Sequence, residues 1–288
     1  MSKKQKIKKI KSCRLCKSKK LQIVITLPNQ SLTGVFPKSI NEKITTGPLE
    51  LVKCSKCSLM QLNHTYDLNE MYGNNYGYRT SLNLSMVKHV SKKILKLQKY
   101  LLPGDTVLDI GSNDGTLLKL YSTKNIKKIG IDPTCTKFKK YYPKSVKIIP
   151  KFFSFKNYNF KQNGKVKIIT SLAMFYDLES PYDFAKDIEK ILHDEGIWHF
   201  EQSYMPIMLK KNSYDTICHE HLEYYSLYVI MKILNKVGLK IHDVEINSVN
   251  GGSIAITAVK INSILKKKNT KKISYLLNQE KKNKLTFL

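Results

Sequence analysis

Three groups of residues in this chain have the types and spacing to do chemistry. The first is a quartet of thiols, Cys13-x-x-Cys16 and Cys54-x-x-Cys57. A C-x-x-C turn brings two thiolates onto one metal, and two such turns complete a tetrahedral shell for Zn2+. Disulfides are disfavoured in a reducing compartment, and a redox C-x-x-C would not need duplicating. Four protein ligands leave no open position, so zinc on Cys13, Cys16, Cys54 and Cys57 is expected to stabilise the fold rather than to react. The other two cysteines, Cys135 and Cys218, stand alone.

The second group is the run Val107-Leu-Asp-Ile-Gly-Ser-Asn-Asp-Gly-Thr-Leu-Leu118. A buried strand ends near Asp109, and the chain turns through Gly111 to Gly115 before a helix begins. Glycine there lets the backbone approach a ligand closely at the carboxyl edge of a sheet. The spacing is neither the dinucleotide fingerprint nor a P-loop. A second apolar run ends in Gly130-Ile-Asp132, where a carboxylate can accept hydrogen bonds from both ribose hydroxyls of an adenosine. Acidic groups without a phosphate-binding fork favour a cofactor with a positive centre and no pyrophosphate.

The third group is Asn212-Ser-Tyr-Asp-Thr-Ile-Cys-His-Glu-His-Leu-Glu-Tyr-Tyr-Ser226, which is not periodic. Two histidines around a carboxylate are poor core material, because each buried polar group needs a partner. No third metal ligand stands at a characteristic spacing, and H-E-H is not the helical H-E-x-x-H zinc motif. An imidazole, which titrates near pH 6.5, is instead suited to work as a general base close to neutrality.

These groups need elements to position them. Apolar strand-like runs at Thr106–Ile110, Lys128–Ile131, Val146–Ile149, Val166–Thr170 and Gly196–Glu201 alternate with helical patterns at Thr116–Tyr121, Thr134–Tyr142 and Tyr182–Leu192. That alternation predicts a doubly wound α/β sheet. An amphipathic helix over about 84–102 precedes it and stops at Pro103-Gly104. A helix at Leu227–Val237 and a strand pair, Leu239–Ile246 and Ser253–Val259, follow. Short strands at Leu21–Leu27 and Leu49–Lys53 lie between the cysteine pairs. Residues 1–12 read as a flexible basic tail.

The 288 residues are 42% hydrophobic and 25% charged, which excludes a disordered or collagen-like chain. No apolar run is long enough to span a membrane and no secretory signal is visible, so a cytoplasmic protein is expected. The net charge is +28. Only Arg14 and Arg79 are arginine, whereas nucleic-acid readers favour its planar fork. The excess therefore reads as lysine bias rather than specific nucleic-acid binding, although it suits an anionic small substrate.

In this order, the paired C-x-x-C knuckles, Tyr76-Gly-Tyr-Arg-Thr-Ser81, Val107–Leu118, Thr216-Ile-Cys-His-Glu-His-Leu-Glu-Tyr-Tyr225 and Asn247-x-x-Asn-Gly-Gly-Ser253 resemble the sugar C-methyltransferase family acting on nucleotide-linked keto-deoxysugars. The resemblance covers about residues 13–260. It implies a small zinc-binding domain (13–72) ahead of a class I S-adenosylmethionine-dependent methyltransferase domain (73–262). It also implies a C-terminal sugar-binding α/β domain that is missing here, with 263–288 as its helical remnant. By resemblance, Asp109, Gly111, Ser112, Asn113, Gly115, Asp132, Thr170 and Ser171 bind the cofactor, with Phe152 near its adenine end. His221 is implied as the base, with Glu220 and His219 as orienting groups or sugar contacts, and Tyr76 and Tyr78 as donors or gates over the pocket. Some family members carry a tyrosine where this chain has Cys218.

The function this implies is transfer of a methyl group from S-adenosylmethionine to a carbon beside the ketone of a nucleotide-linked 4-keto-deoxysugar, through His-assisted deprotonation and an enolate. The expected partner is that small-molecule sugar nucleotide, with no membrane and no oligomeric state specified. Methyl transfer to another acceptor, including RNA, and a truncated cofactor-binding protein without activity are the competing readings.

Overall fold

The computed structural model describes residues 7–73, 75–265 and 268–286. Among them, thirteen strands run in chain order: β1 (Ile7–Lys9), β2 (Leu21–Ser31), β3 (Thr46–Cys54), β4 (Met60–Leu62), β5 (His64–Tyr66), β6 (Thr106–Ile110), β7 (Lys127–Ile131), β8 (Val146–Ile149), β9 (Val166–Leu172), β10 (Leu192–Ser203), β11 (Glu223–Tyr224), β12 (Leu239–Asn247) and β13 (Ser253–Lys260).

The N-terminal part is a small antiparallel sheet in the order β11-β4-β3-β2, flanked by the β1–β5 pair. The reading of residues 1–12 as a tail gives way at β1, whose Ile7 sits opposite Tyr66; residues 1–6 lie outside the described residues. β2 runs four residues beyond the expected Leu27 because a bulge between Leu27 and Gln30 accommodates Pro28 on this exposed edge. Alternating burial along β3 puts Leu49 and Leu51 in the core and brings Cys54 to its end.

The larger sheet has the order β12-β13-β10-β9-β6-β7-β8. β10, β9, β6, β7 and β8 are mutually parallel, and β13 runs antiparallel between β10 and β12. β6 is buried along its whole length, as a strand covered on both faces must be. Helix Leu84–Leu97 starts where the Asn83 side chain accepts from the Met86 amide (3.1 Å) and buries Val90, Ile94 and Leu97 along one face. Helix Pro181–Ile191 begins on proline and buries Phe184, Ala185, Ile188 and Ile191. Phe175, Trp198, Phe200 and Tyr225 form an aromatic core between this layer and the sheet. The expected helix Thr134–Tyr142 is only Cys135–Phe138, continued by a single tighter turn at Lys139–Tyr141. The last helix, Thr270–Lys282, docks through a buried Glu280. Its carboxylate accepts from the amides of Leu227 (2.6 Å) and Tyr228 (3.0 Å) and from Tyr204 Oη (2.5 Å), and so caps helix Leu227–Lys236.

A polar cluster is trapped between helix Leu84–Leu97 and the sheet. Glu201 in β10 forms an ion pair with Lys93 Nζ (2.7 Å) and accepts from His89 Nε2 (2.5 Å) and Asn247 Nδ2 (2.7 Å). Burial opposes its charge, but His89 and Lys93 prevail and hold its pKa down at about 2. His199, two residues earlier, is fully enclosed, and burial with the nearby Lys93 pushes its pKa down to about 3. Both groups bind fewer protons folded than unfolded, so stability falls as the solution is acidified. His199 acts first, from about pH 6.5 downward, and Glu201 below about pH 4.5. By pH 5, His199 alone is expected to remove about 2 kcal/mol. Melting curves between pH 7.5 and 5 should show a decline that His199→Gln flattens; identical slopes in the two proteins would refute this source of acid lability.

Candidate active site at the carboxyl edge of the sheet

The four cysteine sulfurs converge. Cys13 and Cys57 Sγ are 3.6 Å apart, Cys16 and Cys54 Sγ are 3.5 Å apart, and all four lie within 4.8 Å of one another. A tetrahedron of sulfurs about 2.3 Å from zinc has edges of about 3.8 Å, so the set fits this ion without rearrangement. Each knuckle turns through a residue at positive φ, Lys17 and Ser58.

At the ends of β6 and β7 the chain builds a cradle. Gly111 (φ 74°), Asn113 (φ 49°) and Gly115 (φ 74°) take left-handed conformations in succession, which glycine and asparagine tolerate best. Tyr142 supports the loop from below, donating to the Asn113 carbonyl (2.8 Å) and meeting Ser112 Oγ (2.8 Å). A Cβ on Gly115 would stand 2.6 Å from the Tyr142 ring. Gly115→Ala should therefore destabilise the protein by about 1–3 kcal/mol, through the collision and the positive φ together. Denaturant titration checks this, and an unchanged midpoint would contradict it.

Asp132 follows β7 directly and is 7% exposed. It accepts from the Asn113 amide (2.9 Å) and from the Thr134 amide and hydroxyl (both 2.6 Å). Burial raises its pKa. Asp109 accepts from Thr170 Oγ1 (2.6 Å), and its deep burial pushes its pKa up to about 7. Ser171 accepts from Trp198 Nε1 (2.9 Å) and is fully buried, so its hydroxyl serves the core rather than the loop. Phe152 is 42% exposed and meets Tyr72 edge-on.

The Tyr76–Ser81 segment folds over this loop. Thr80 and Ser81 amides donate to Asn113 Oδ1 (3.0 Å) and Asp114 Oδ2 (3.1 Å), and Asn113 Nδ2 donates to the Tyr78 carbonyl (3.2 Å). Arg79 lies 3.8 Å from Asp114 and stacks over the Tyr141 ring. Tyr78 is anchored by its backbone, and its side chain is 43% exposed. The Tyr76 phenol is half-buried; desolvation raises its pKa, and Glu220, Asp177 and Asp132 raise it further. It thus links the β7 edge to the histidine turn.

That turn is held by the N-terminal sheet. His219 is fully buried. Its Nε2–H donates to the Gly47 carbonyl (3.2 Å), and Nδ1 accepts from the Thr33 amide (3.4 Å). Both ring nitrogens are engaged with backbone, so none is left to meet a ligand. Glu220 packs against Gly34, where a Cβ would stand 2.4 Å from Oε1; burial raises its pKa. His221 differs. Its Nδ1 lies 2.9 Å from the Thr216 carbonyl, which can only accept, so Nδ1 carries a hydrogen and, in the neutral ring, the lone pair is on Nε2. The ring packs on Tyr176, centroid to centroid 4.1 Å. Burial pushes the Cys218 thiol up to about 11, which leaves it a neutral side chain rather than a nucleophile.

Asp177 and Tyr72 join this group without a signal in the sequence strong enough to single them out. Asp177 follows β9, and its carboxyl pKa is raised well above the usual range by burial, although the adjacent His221 opposes the shift. It accepts from Tyr72 Oη (3.2 Å). Together with Glu220 they line a cavity of about 10 Å3, room for about one water.

Residues 13–72 match the sequence model of a family described as "Putative zinc binding domain", and residues 83–244 match one described as "Methyltransferase domain". The chain is 27% identical over 258 residues to C-methyltransferase NovU of Streptomyces niveus, an alignment covering 88% of this chain and 61% of that protein's length. Among solved structures, magnesium protoporphyrin IX methyltransferase from Synechocystis PCC 6803 is 16% identical, with a TM-score of 0.46, over 62% of this chain and 84% of that one. Cyclopropane synthase MmaA2 from Mycobacterium tuberculosis is 13% identical, with a TM-score of 0.48, over 63% of this chain and 87% of that one. Among the described residues no helix is long and apolar enough to cross a membrane. With more than half of its length matched, and with five parallel strands extended by an antiparallel β13, the chain belongs to the class I methyltransferase domain family and carries a zinc-binding region ahead of that domain.

Proposed function

We propose that this protein transfers a methyl group from S-adenosylmethionine to a carbon beside the ketone of a nucleotide-linked 4-keto-deoxysugar. The carrying observation is the state of His221: the Thr216 carbonyl fixes the hydrogen on Nδ1 and leaves Nε2 able to take a proton. A carbon next to a ketone is the acid such a base can serve, and its conjugate enolate is the nucleophile that methyl transfer to carbon requires. When bound, S-adenosylmethionine supplies an electrophilic methyl group on a positive sulfur. The Gly111–Gly115 backbone and Asp132 would hold it, and the loop itself carries no lysine. Tyr76 is the phenol between the two halves and the donor best placed to stabilise developing oxyanion charge. Glu220 and Asp177 orient the imidazole and the phenols. The 27% identity to a C-methyltransferase supports carbon as the atom methylated.

The test is mass spectrometry of 4-keto-deoxysugar nucleotides incubated with donor and protein, with deuterium exchange at the carbon beside the ketone followed in the same samples. One added methyl, and loss of one exchangeable hydrogen from the methylated carbon, are expected. No mass gain on any such sugar, with S-adenosylhomocysteine still bound by calorimetry, would overturn the choice of acceptor.

A further inference from the structure

A buried ion pair joins the first cysteine knuckle to the turn that carries His221. Arg14 stands between Cys13 and Cys16 and is 4% exposed. Its amide donates to Gln61 Oε1 (3.0 Å), and its guanidinium donates to the carbonyls of Leu62 (2.5 Å) and His64 (2.9 Å). The remaining nitrogen, Nε, lies 3.8 Å from Glu223 Oε1. Glu223 is 1% exposed, two residues beyond His221, and faces Gln61 across the β4–β11 ladder. That ladder is short: it pairs only Glu223 with Gln61 and Tyr224 with Met60, extended by the Leu62 amide donating to the Leu222 carbonyl (2.9 Å). So few backbone bonds do not fix a register by themselves. Glu223 enclosed beside them does: burial raises its carboxyl pKa well above the usual range and the guanidinium 3.8 Å away opposes that shift, so removing either side chain would leave the other a buried polar group without its counterpart.

We propose that the Arg14–Glu223 pair is a positioning device that clamps β11 onto the zinc-binding sheet and thereby aims the His221 turn at the carboxyl edge of the large sheet. Neither residue touches substrate. The functional consequence rests on the proposed role of His221, but the clamp itself can be read without it.

The test compares Arg14→Met, Glu223→Gln and the double variant with the wild type, all zinc-loaded and checked for metal content. Backbone hydrogen exchange over residues 216–226 is the first readout, and methyl transfer and S-adenosylhomocysteine affinity are the second. Each single variant should exchange about tenfold faster across the turn while S-adenosylhomocysteine affinity changes less than twofold. The double variant, with no charge left unpaired, should recover most of the protection and most of the turnover. If Arg14→Met loses zinc or fails to fold, Glu223→Gln carries the test alone. Unchanged exchange in Glu223→Gln, or a double variant as loose as the sum of the singles, overturns the clamp. Faster exchange with undiminished methyl transfer supports the clamp and overturns His221 as the base.

Discussion

Removing the metal from the Cys13, Cys16, Cys54 and Cys57 cluster is expected to abolish methyl transfer while leaving S-adenosylhomocysteine binding in place. Structural zinc in small modules contributes about 10–16 kcal/mol of apparent binding energy that serves as folding energy, far more than a short sheet of four strands can replace. Without it, the three buried sulfur sites face one another as unpaired thiols, and β3 and β4 lose the knuckle that joins them. β11 pairs with β4, and His219 is held by Thr33 and Gly47. The His221 turn therefore loses its support with the metal. The knuckles share one core with the near face of the large sheet, but its other face packs through Val90, Ile94, Val107, Leu118 and Ile168, and the cradle loop should persist on it. Chelation with metal analysis, calorimetry and a turnover assay on one sample decides the matter, and Cys54→Ser should reproduce the result. A metal-free protein retaining full turnover would show that the knuckles do not govern the turn.

His221→Ala should lower turnover by about 10²–10⁴-fold, the range a positioned general base supplies, and leave S-adenosylhomocysteine affinity essentially unchanged. The separation follows from placement. The ring bonds to Thr216 and packs on Tyr176, whereas the cradle is made by Gly111–Gly115 and Asp132. The Nδ1 hydrogen bond is made to a carbonyl inside the same turn, so His221→Ala removes no contact with the sheet. Isotope exchange at the acceptor carbon should fall together with methylation. Exchange that continues at the normal rate in the variant would assign the proton to another group, with Tyr76 the first to examine.

The large sheet was legible because its signals are local. β6 and β9 are mostly apolar and the helices Leu84–Leu97 and Pro181–Ile191 repeat at the helical period, so the alternation around Asp109 and Asp132 is read directly. The cysteine knuckles were legible for a similar reason, since two ligands stand three residues apart. What escaped depends on contacts far along the chain. Nothing near Glu223 marks a strand: β11 exists because Met60 and Gln61 lie beside it. Tyr142 is one tyrosine among many until the loop is built over it. No pattern in the sequence marks Asp177, and only its enclosure beside Tyr72 and His221 gives it significance. His219 and His221 flank one glutamate, and in the sequence only the family resemblance separates their roles. They differ because one meets two backbone groups of the N-terminal sheet and the other meets one carbonyl of its own turn.

The late arrival of β11 has a consequence for how this protein is made. Its partner strand β4 ends at Leu62 and β11 ends at Tyr224, so the intervening stretch takes on the order of 10–30 s to leave a ribosome. Throughout that interval the small sheet of the metal module has a second unpaired hydrogen-bonding margin, at β4, besides its permanent edge β2, and such margins recruit foreign strands. Newly made molecules should therefore be most prone to clumping before synthesis passes residue 224, and most dependent on chaperones there.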